Sequence, residues 1–154
     1  MSLNPNIFHL RDILIEKRHA HYQASNYYSI NNSNHICVIL KDGVPISYGI
    51  NNYKPNKTIT EHAEANAFRK LIKHVDRSAK RLKIDILVVR TNGSNSKPCN
   101  RCINQMISYN NIFDIRNIYY TTKDELTGIR CVKFSKLIHE ERFICSYDKH
   151  NNIY

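Results

Sequence analysis

"TEHAEANAF", Thr60 to Phe68, has the pattern of a helix start that carries chemistry. His62 and Glu64 stand within one turn, and both can bind a metal or move protons. A helix that only packs against a core needs neither. If the stretch belongs to a site, its other half must lie elsewhere in the chain. About 35 residues after Glu64 comes "SKPCNRC", Ser96 to Cys102, with Cys99 and Cys102 three positions apart.

Positions i and i+3 of a helix lie on one face, so both sulfurs can reach one ion. The partial positive charge of a helix start also favours their thiolate forms. A C-x-x-C pair alone fits a redox pair or half of a structural zinc site equally well. Adding His62 gives three ligands of the type zinc prefers, with a fourth tetrahedral position left for water. Glu64 then lies beside the ion without binding it. Three protein ligands with a neighbouring carboxylate describe a catalytic zinc site. The zinc lowers the pKa of its water, and the glutamate carries protons between water and substrate. The spacing H-x-E…P-C-x-x-C, here His62-Ala63-Glu64 and Pro98-Cys99-Asn100-Arg101-Cys102, is the signature of zinc-dependent nucleobase deaminases.

Outward from these motifs, Asn4 to Ala24 reads as an amphipathic helix with Ile7, Leu10 and Leu14 on its apolar stripe. "HICVIL" and "PISYGIN" are strand-like runs around an Asp42-Gly43 hairpin turn. A helix is expected from Glu61 to Val75 with Thr58 or Thr60 as N-cap. The strand "KIDILVVRT", a helix from Cys99 to Tyr109 after Pro98, and the strands "IRNIYYT" and "GIRCVKF" follow. "LIHEERF" could add a short last helix before a polar tail. The order α-ββ-α-β-α-β-β predicts an α/β fold with a sheet of about five strands. "TKDELT" and Gly128 make too short a link for a parallel crossover, so the last two strands should be antiparallel. One domain over 1–154 is expected, with a core at about 34–137, the N-terminal helix at about 4–24 and the tail at about 143–154.

The chain resembles the cytidine and deoxycytidylate deaminase superfamily over about Ile36 to Phe134. "HAEANA" looks most like the deoxycytidylate and related nucleotide deaminases, whereas the final hairpin resembles the free-cytidine branch. The resemblance implies a cytidine-deaminase-like α/β/α sandwich, a mixed sheet and a bound Zn2+. It also implies hydrolytic replacement of a base amino group by a carbonyl, with ammonia released. Asn51, ending "YGIN", matches the residue that binds a sugar hydroxyl. The backbone N–H of Ala63 matches the group holding the base carbonyl. The carbonyl of Lys97 should receive the exocyclic amine, and Lys97 itself departs from the small Ser or Thr common there. Tyr119 and Tyr120 end a strand near where the family sets aromatic groups against the substrate. Strand alternation lets one of them, taken here as Tyr120, face the site.

A formal net charge of +10 makes acidic partners plausible: a nucleotide, RNA, DNA or an anionic surface. The basic run from Arg69 to Lys83 is the main charge feature, and a solvated helix face is its plainer reading. Lys70, Lys73, Arg77, Lys80 and Arg81 should lie roughly 10 Å or more from the chemistry at helical rise. Lys54, Lys57, Lys97 and Arg101 are nearer in sequence and could meet one phosphate. A free cytosine nucleoside or nucleotide is therefore preferred over cytosine or adenine in a nucleic acid. A nucleic-acid-binding protein with a structural zinc is the reading from another class. Cys37 and Cys131 fall in apolar strand patterns and read as core, and Cys145 has no assigned role. No apolar run is long enough to span a bilayer, and the first residues lack a signal-peptide core. A cytoplasmic, reducing setting and a homo-oligomer are the accompanying expectations.

Overall fold

The computed structural model describes residues 5–25, 35–51 and 61–150. The elements are α1 (Pro5–Ser25), β1 (His35–Lys41), β2 (Val44–Ile50), α2 (Ala63–Ile72), β3 (Leu82–Arg90), α3 (Asn100–Ser108), β4 (Phe113–Thr121), β5 (Ile129–Lys133), α4 (Phe134–Leu137) and α5 (Ser146–His150). The five strands form one sheet in the order β2-β1-β3-β4-β5. β1 pairs antiparallel with β2 and with β3, and β4 pairs antiparallel with β5. β3 and β4 are parallel, joined through α3. The antiparallel final hairpin expected from its short connection is therefore present.

Asp42 and Gly43 close the β1–β2 hairpin with positive φ at both positions, 52° and 79°. Such a turn matches the twist of the strands it joins. Alternation then sorts the side chains. Ile36, Val38, Leu40, Leu87 and Val89 pack against Ile7 and Leu14 of α1. Cys37, Ile39, Ile84, Ile86, Val88 and Ile118 pack against Ala63, Ala67, Phe68, Ile103 and Met106 of α2 and α3. The result is a three-layer α/β/α sandwich with a core on each face of the sheet.

Three elements differ from the sequence reading. α2 stops at Ile72, short of the expected Val75, although both Ile72 and Val75 still pack against the core. The helix expected over "LIHEERF" does not form; a short helix instead spans Phe134–Leu137, directly after β5, where Phe134 and Leu137 bury one face three residues apart. Residues 146–150, read as polar tail, form α5. Thr58 and Thr60, expected as caps, lie outside the described residues. So do Lys54 and Lys57. No helix among the described residues is long and apolar enough to cross a membrane.

Candidate metal centre

The starts of α2 and α3 meet at one end of the sheet. His62 is the N-cap of α2, with extended backbone at φ −71° and ψ 157°. Cys99 is the N-cap of α3, also extended, just after Pro98. The structure thus shifts both motif residues to the caps, where the first turns leave N–H groups unsatisfied within each helix.

α2 is held at its place by β2. A Cβ on Gly49 would lie 2.1 Å from the Ala63 carbonyl oxygen and 2.4 Å from the Ala67 nitrogen. Only glycine allows that approach. Ser47 Oγ donates to the Ala67 carbonyl at 2.8 Å. Asn66, buried in α2, accepts from the Ile50 N–H at 3.3 Å and donates to Glu61 at 2.9 Å. The loop before Cys99 is fixed by Ser96, whose hydroxyl donates to the Val88 carbonyl at 2.7 Å and accepts from the Thr121 N–H at 2.8 Å. Neither Asn66 nor Ser96 stood out in the sequence, because each matters through strands that are distant along the chain.

His62 Nδ1 lies 3.2 Å from Cys102 Sγ and 3.5 Å from Cys99 Sγ. The three donor atoms all fall within 4.8 Å of one another. Both cysteines are buried, and Glu64 is 6% exposed. Two sulfurs and one imidazole nitrogen, converging in a pocket with a buried carboxylate beside them, suit zinc.

The charges are interlocked. The Cys102 thiol, hydrogen-bonded to Cys99, holds Cys99 down at about 4, with the His62 contact adding to this against burial. Cys102 is pushed well above the usual thiol range by the same contact, by burial and by the Glu64 charge. Burial raises Glu64, and the His62 charge offsets this only in part. Burial works to lower His62, but the hydrogen bond and charge of Cys99 and the Glu64 charge prevail and raise it. The two thiols are thus shifted in opposite directions, and the carboxylate upward, around the same imidazole.

The residues expected to meet a substrate have the following places in the fold. Asn51 is half-buried at the end of β2, its Nδ2 3.5 Å from His35 Nδ1. Ala63 is fully buried at the first position of α2. The Lys97 side chain turns away to Glu140, at 2.7 Å, and to the Glu141 carbonyl, at 3.4 Å. Tyr120 is 3% exposed and packs in the core on the α2–α3 face, whereas Tyr119 packs against the α1 cluster. Alternation thus places Tyr120 on the site's side of the sheet. Cys37 is fully buried as expected, while Cys131 is only half-buried.

Three cations of the basic run are engaged on the protein itself. Arg69 pairs with Glu61, Lys70 donates to the Tyr48 carbonyl, and Arg81 donates to Asn110. The sequence reading named Arg101 only as a possible phosphate contact and missed Cys145 and Asp148. Arg101 Nη2 is 2.7 Å from His62 Nε2, and Cys145 Sγ is 3.9 Å from the same nitrogen. Asp148, buried on α5, lies 3.5 Å from Arg101 Nη1. Their one signal in the sequence was a lone cysteine in a polar stretch.

Residues 16–122 match the family described as cytidine and deoxycytidylate deaminase, zinc-binding region. No curated protein matches the chain. Among solved structures, the cytidine deaminase from Burkholderia pseudomallei is similar at 17% identity, covering 77% of this chain and 94% of that one, with a TM-score of 0.52. The dCMP deaminase from cyanophage S-TIM5 aligns at 16% identity, over 88% of this chain and 94% of its own, with a TM-score of 0.47. The cytidine deaminase from Mycobacterium leprae aligns at 18% identity over 80% and 93%, also with a TM-score of 0.47.

Proposed function

This chain belongs to the cytidine and deoxycytidylate deaminase family of zinc-dependent hydrolases, and from that premise we propose that it converts cytosine to uracil in a free nucleoside or nucleotide. Water replaces the exocyclic amine and ammonia leaves. The observation that carries this reading is the convergence of His62 Nδ1 with the Cys99 and Cys102 sulfurs beside the buried Glu64.

His62, Cys99 and Cys102 would hold the zinc, which supplies a Lewis acid able to bring the pKa of a water toward neutrality. Glu64 is the proton carrier. Its burial raises its proton affinity, so its carboxylate can take a proton from water and deliver it to the base. The deliveries go first to the ring nitrogen beside the amine and then to the leaving amine. The Ala63 N–H donates to the base carbonyl, and the Lys97 carbonyl accepts from the amine. Asn51 binds a sugar hydroxyl, and Tyr120 backs the base from the sheet. The Glu140 contact holds the long Lys97 side chain at 2.7 Å.

The preference for a free substrate over a strand rests on the basic residues. A polynucleotide deaminase needs an open groove of basic and aromatic groups. Here Arg69, Lys70 and Arg81 are engaged by neighbouring groups of the same chain. Residues 1–154 act in this reading as one deaminase domain. Its five free thiols fit a reducing, cytoplasmic setting. Exposed Ile46, Tyr48 and Ile50 on the edge strand β2 support a homo-oligomer, which light scattering would test.

Ammonia release from cytidine, deoxycytidine and their monophosphates, measured beside single-stranded oligonucleotides, decides the substrate. Turnover of one of the small compounds is the expected result. Efficient turnover of an oligonucleotide alone would reverse the preference and be accompanied by steeply salt-dependent binding.

A further inference from the structure

The polypeptide after α4 repeatedly contacts the stretch that carries the two cysteines. Glu140 takes the Lys97 ammonium at 2.7 Å, and the Phe143 carbonyl accepts from the Asn100 N–H at 2.9 Å. Arg142 donates to the side-chain oxygens of Asn100 and Asn104. Asp148 completes the series from α5, pairing with Arg101 at 3.5 Å. Its side chain is 3% exposed, and its Oδ1 has no hydrogen-bond partner among the described residues. A carboxylate is rarely buried in that way without a task for its charge. A donor oxygen of Asp148 falls within 4.8 Å of the sulfurs of Cys99 and Cys145.

The task follows from the other edge of His62. Its Nδ1 faces the two sulfurs. A histidine that gives Nδ1 to a metal carries its proton on Nε2, and that N–H needs an acceptor to fix the ring. Arg101 occupies this edge at 2.7 Å, but a guanidinium has donors and no acceptor. It also sets a full positive charge beside a site built for a dication. Asp148, paired with Arg101 at 3.5 Å, brings the compensating negative charge and holds the guanidinium that lies on this edge. We infer that Asp148 is a positioning residue of the zinc site, delivered by the C-terminal segment, and that it stabilises bound zinc through Arg101 and the outer edge of His62. The inference rests on the zinc assignment of His62, Cys99 and Cys102 made above.

The test is the rate at which the full-length, zinc-loaded protein releases its metal to an excess of chromogenic chelator. Loss of such an outer partner typically weakens metal retention by about 10- to 100-fold, and Asp148→Ala should release zinc faster by a factor in that range. Asp148→Asn keeps the shape but not the charge and should fall between Asp148→Ala and the wild type. This variant carries the test if the alanine protein does not fold. Glu140→Gln cuts a different tether of the same segment and should leave the release rate within a few-fold of the wild type. Equal effects of the Asp148 and Glu140 variants would show mere tethering and overturn the inference. So would unchanged release in both Asp148 variants. A second zinc per chain, lost in Asp148→Ala or Cys145→Ser, would make Asp148 a direct ligand and overturn it as well. A wild-type protein that takes up no zinc would instead overturn the functional reading beneath it.

Discussion

The two faces of the sheet are built to different standards. On the α1 face, Ile36, Val38, Leu40, Leu87, Val89 and Ile129 meet Ile7 and Leu14 in an apolar core. On the α2–α3 face the apolar core adjoins buried groups that titrate or hydrogen-bond: Cys37, Glu64, Asn66, Ser96, Cys99 and Cys102. An apolar layer tolerates exchange of shape and volume. A polar buried cluster does not, because each group left without its partner costs the desolvation of that group. The contrast shows that the α2–α3 side of the sheet combines the larger apolar core with the buried polar groups that this core holds in place.

The largest expected effect separates chemistry from structure on the α2–α3 face. Glu64→Gln should lower turnover by about two to four powers of ten, the usual loss for a proton-transfer group. Zinc content by elemental analysis should stay at the wild-type level. Full activity in this variant would remove Glu64 from its role. On the α1 face, Leu87→Ala removes a fully buried side chain and should cost about 2–5 kcal/mol of stability. Per folded molecule its activity should be unchanged, as read from denaturant unfolding beside assays at low temperature. A large fall in kcat would show that the two faces are not separable.

Gly49→Ala tests the boundary between them. The new methyl group would collide with the backbone of α2, at a cost of about 1–3 kcal/mol as for other overpacked sites. Because α2 carries His62 and Glu64, activity should fall further than stability alone explains. The smallest effect concerns pH. Burial, with the Glu64 charge adding, pushes the Cys37 thiol well above its ordinary value of 9.0. The folded state therefore holds that proton more tightly than the unfolded chain. The stability it contributes is fully present below that ordinary value and is lost as pH rises above it, by up to about 1.4 kcal/mol per pH unit. Cys37→Ala should flatten this alkaline decline in urea unfolding curves. An equal decline in both proteins would assign it to other groups.

What the sequence made legible was local. His62 and Glu64 share one turn, and Cys99 and Cys102 lie one turn apart, so their spacing alone brought the metal chemistry into view. The hairpin of β4 and β5 was legible because chain length between strands limits how they can pair. The helix boundaries were less so. α2 ends at Ile72 while Val75 still packs against the core, and α4 starts where Phe134 is buried, so neither boundary follows from the apolar pattern. Arg101 was placed near the site by its motif but read as a phosphate contact, whereas Asp148 and Cys145 were out of reach for a further reason. The Cys145–His62 contact spans 83 positions, and no periodicity links residues so far apart. Lys97 was noticed as a departure, but its pairing with Glu140 required the folded chain.

The wide separation of the metal donors has a thermodynamic consequence. His62 meets Cys99 and Cys102 across 37 and 40 positions of chain, and only the assembled helices bring the three together. An unfolded chain offers the two cysteines but not the imidazole beside them. Zinc is then a ligand of the native state, and each tenfold rise in its free concentration above the dissociation constant adds about 1.4 kcal/mol to the unfolding free energy. The thermal midpoint becomes a readout of metal supply, and a chelator becomes a denaturant that acts without touching the apolar core.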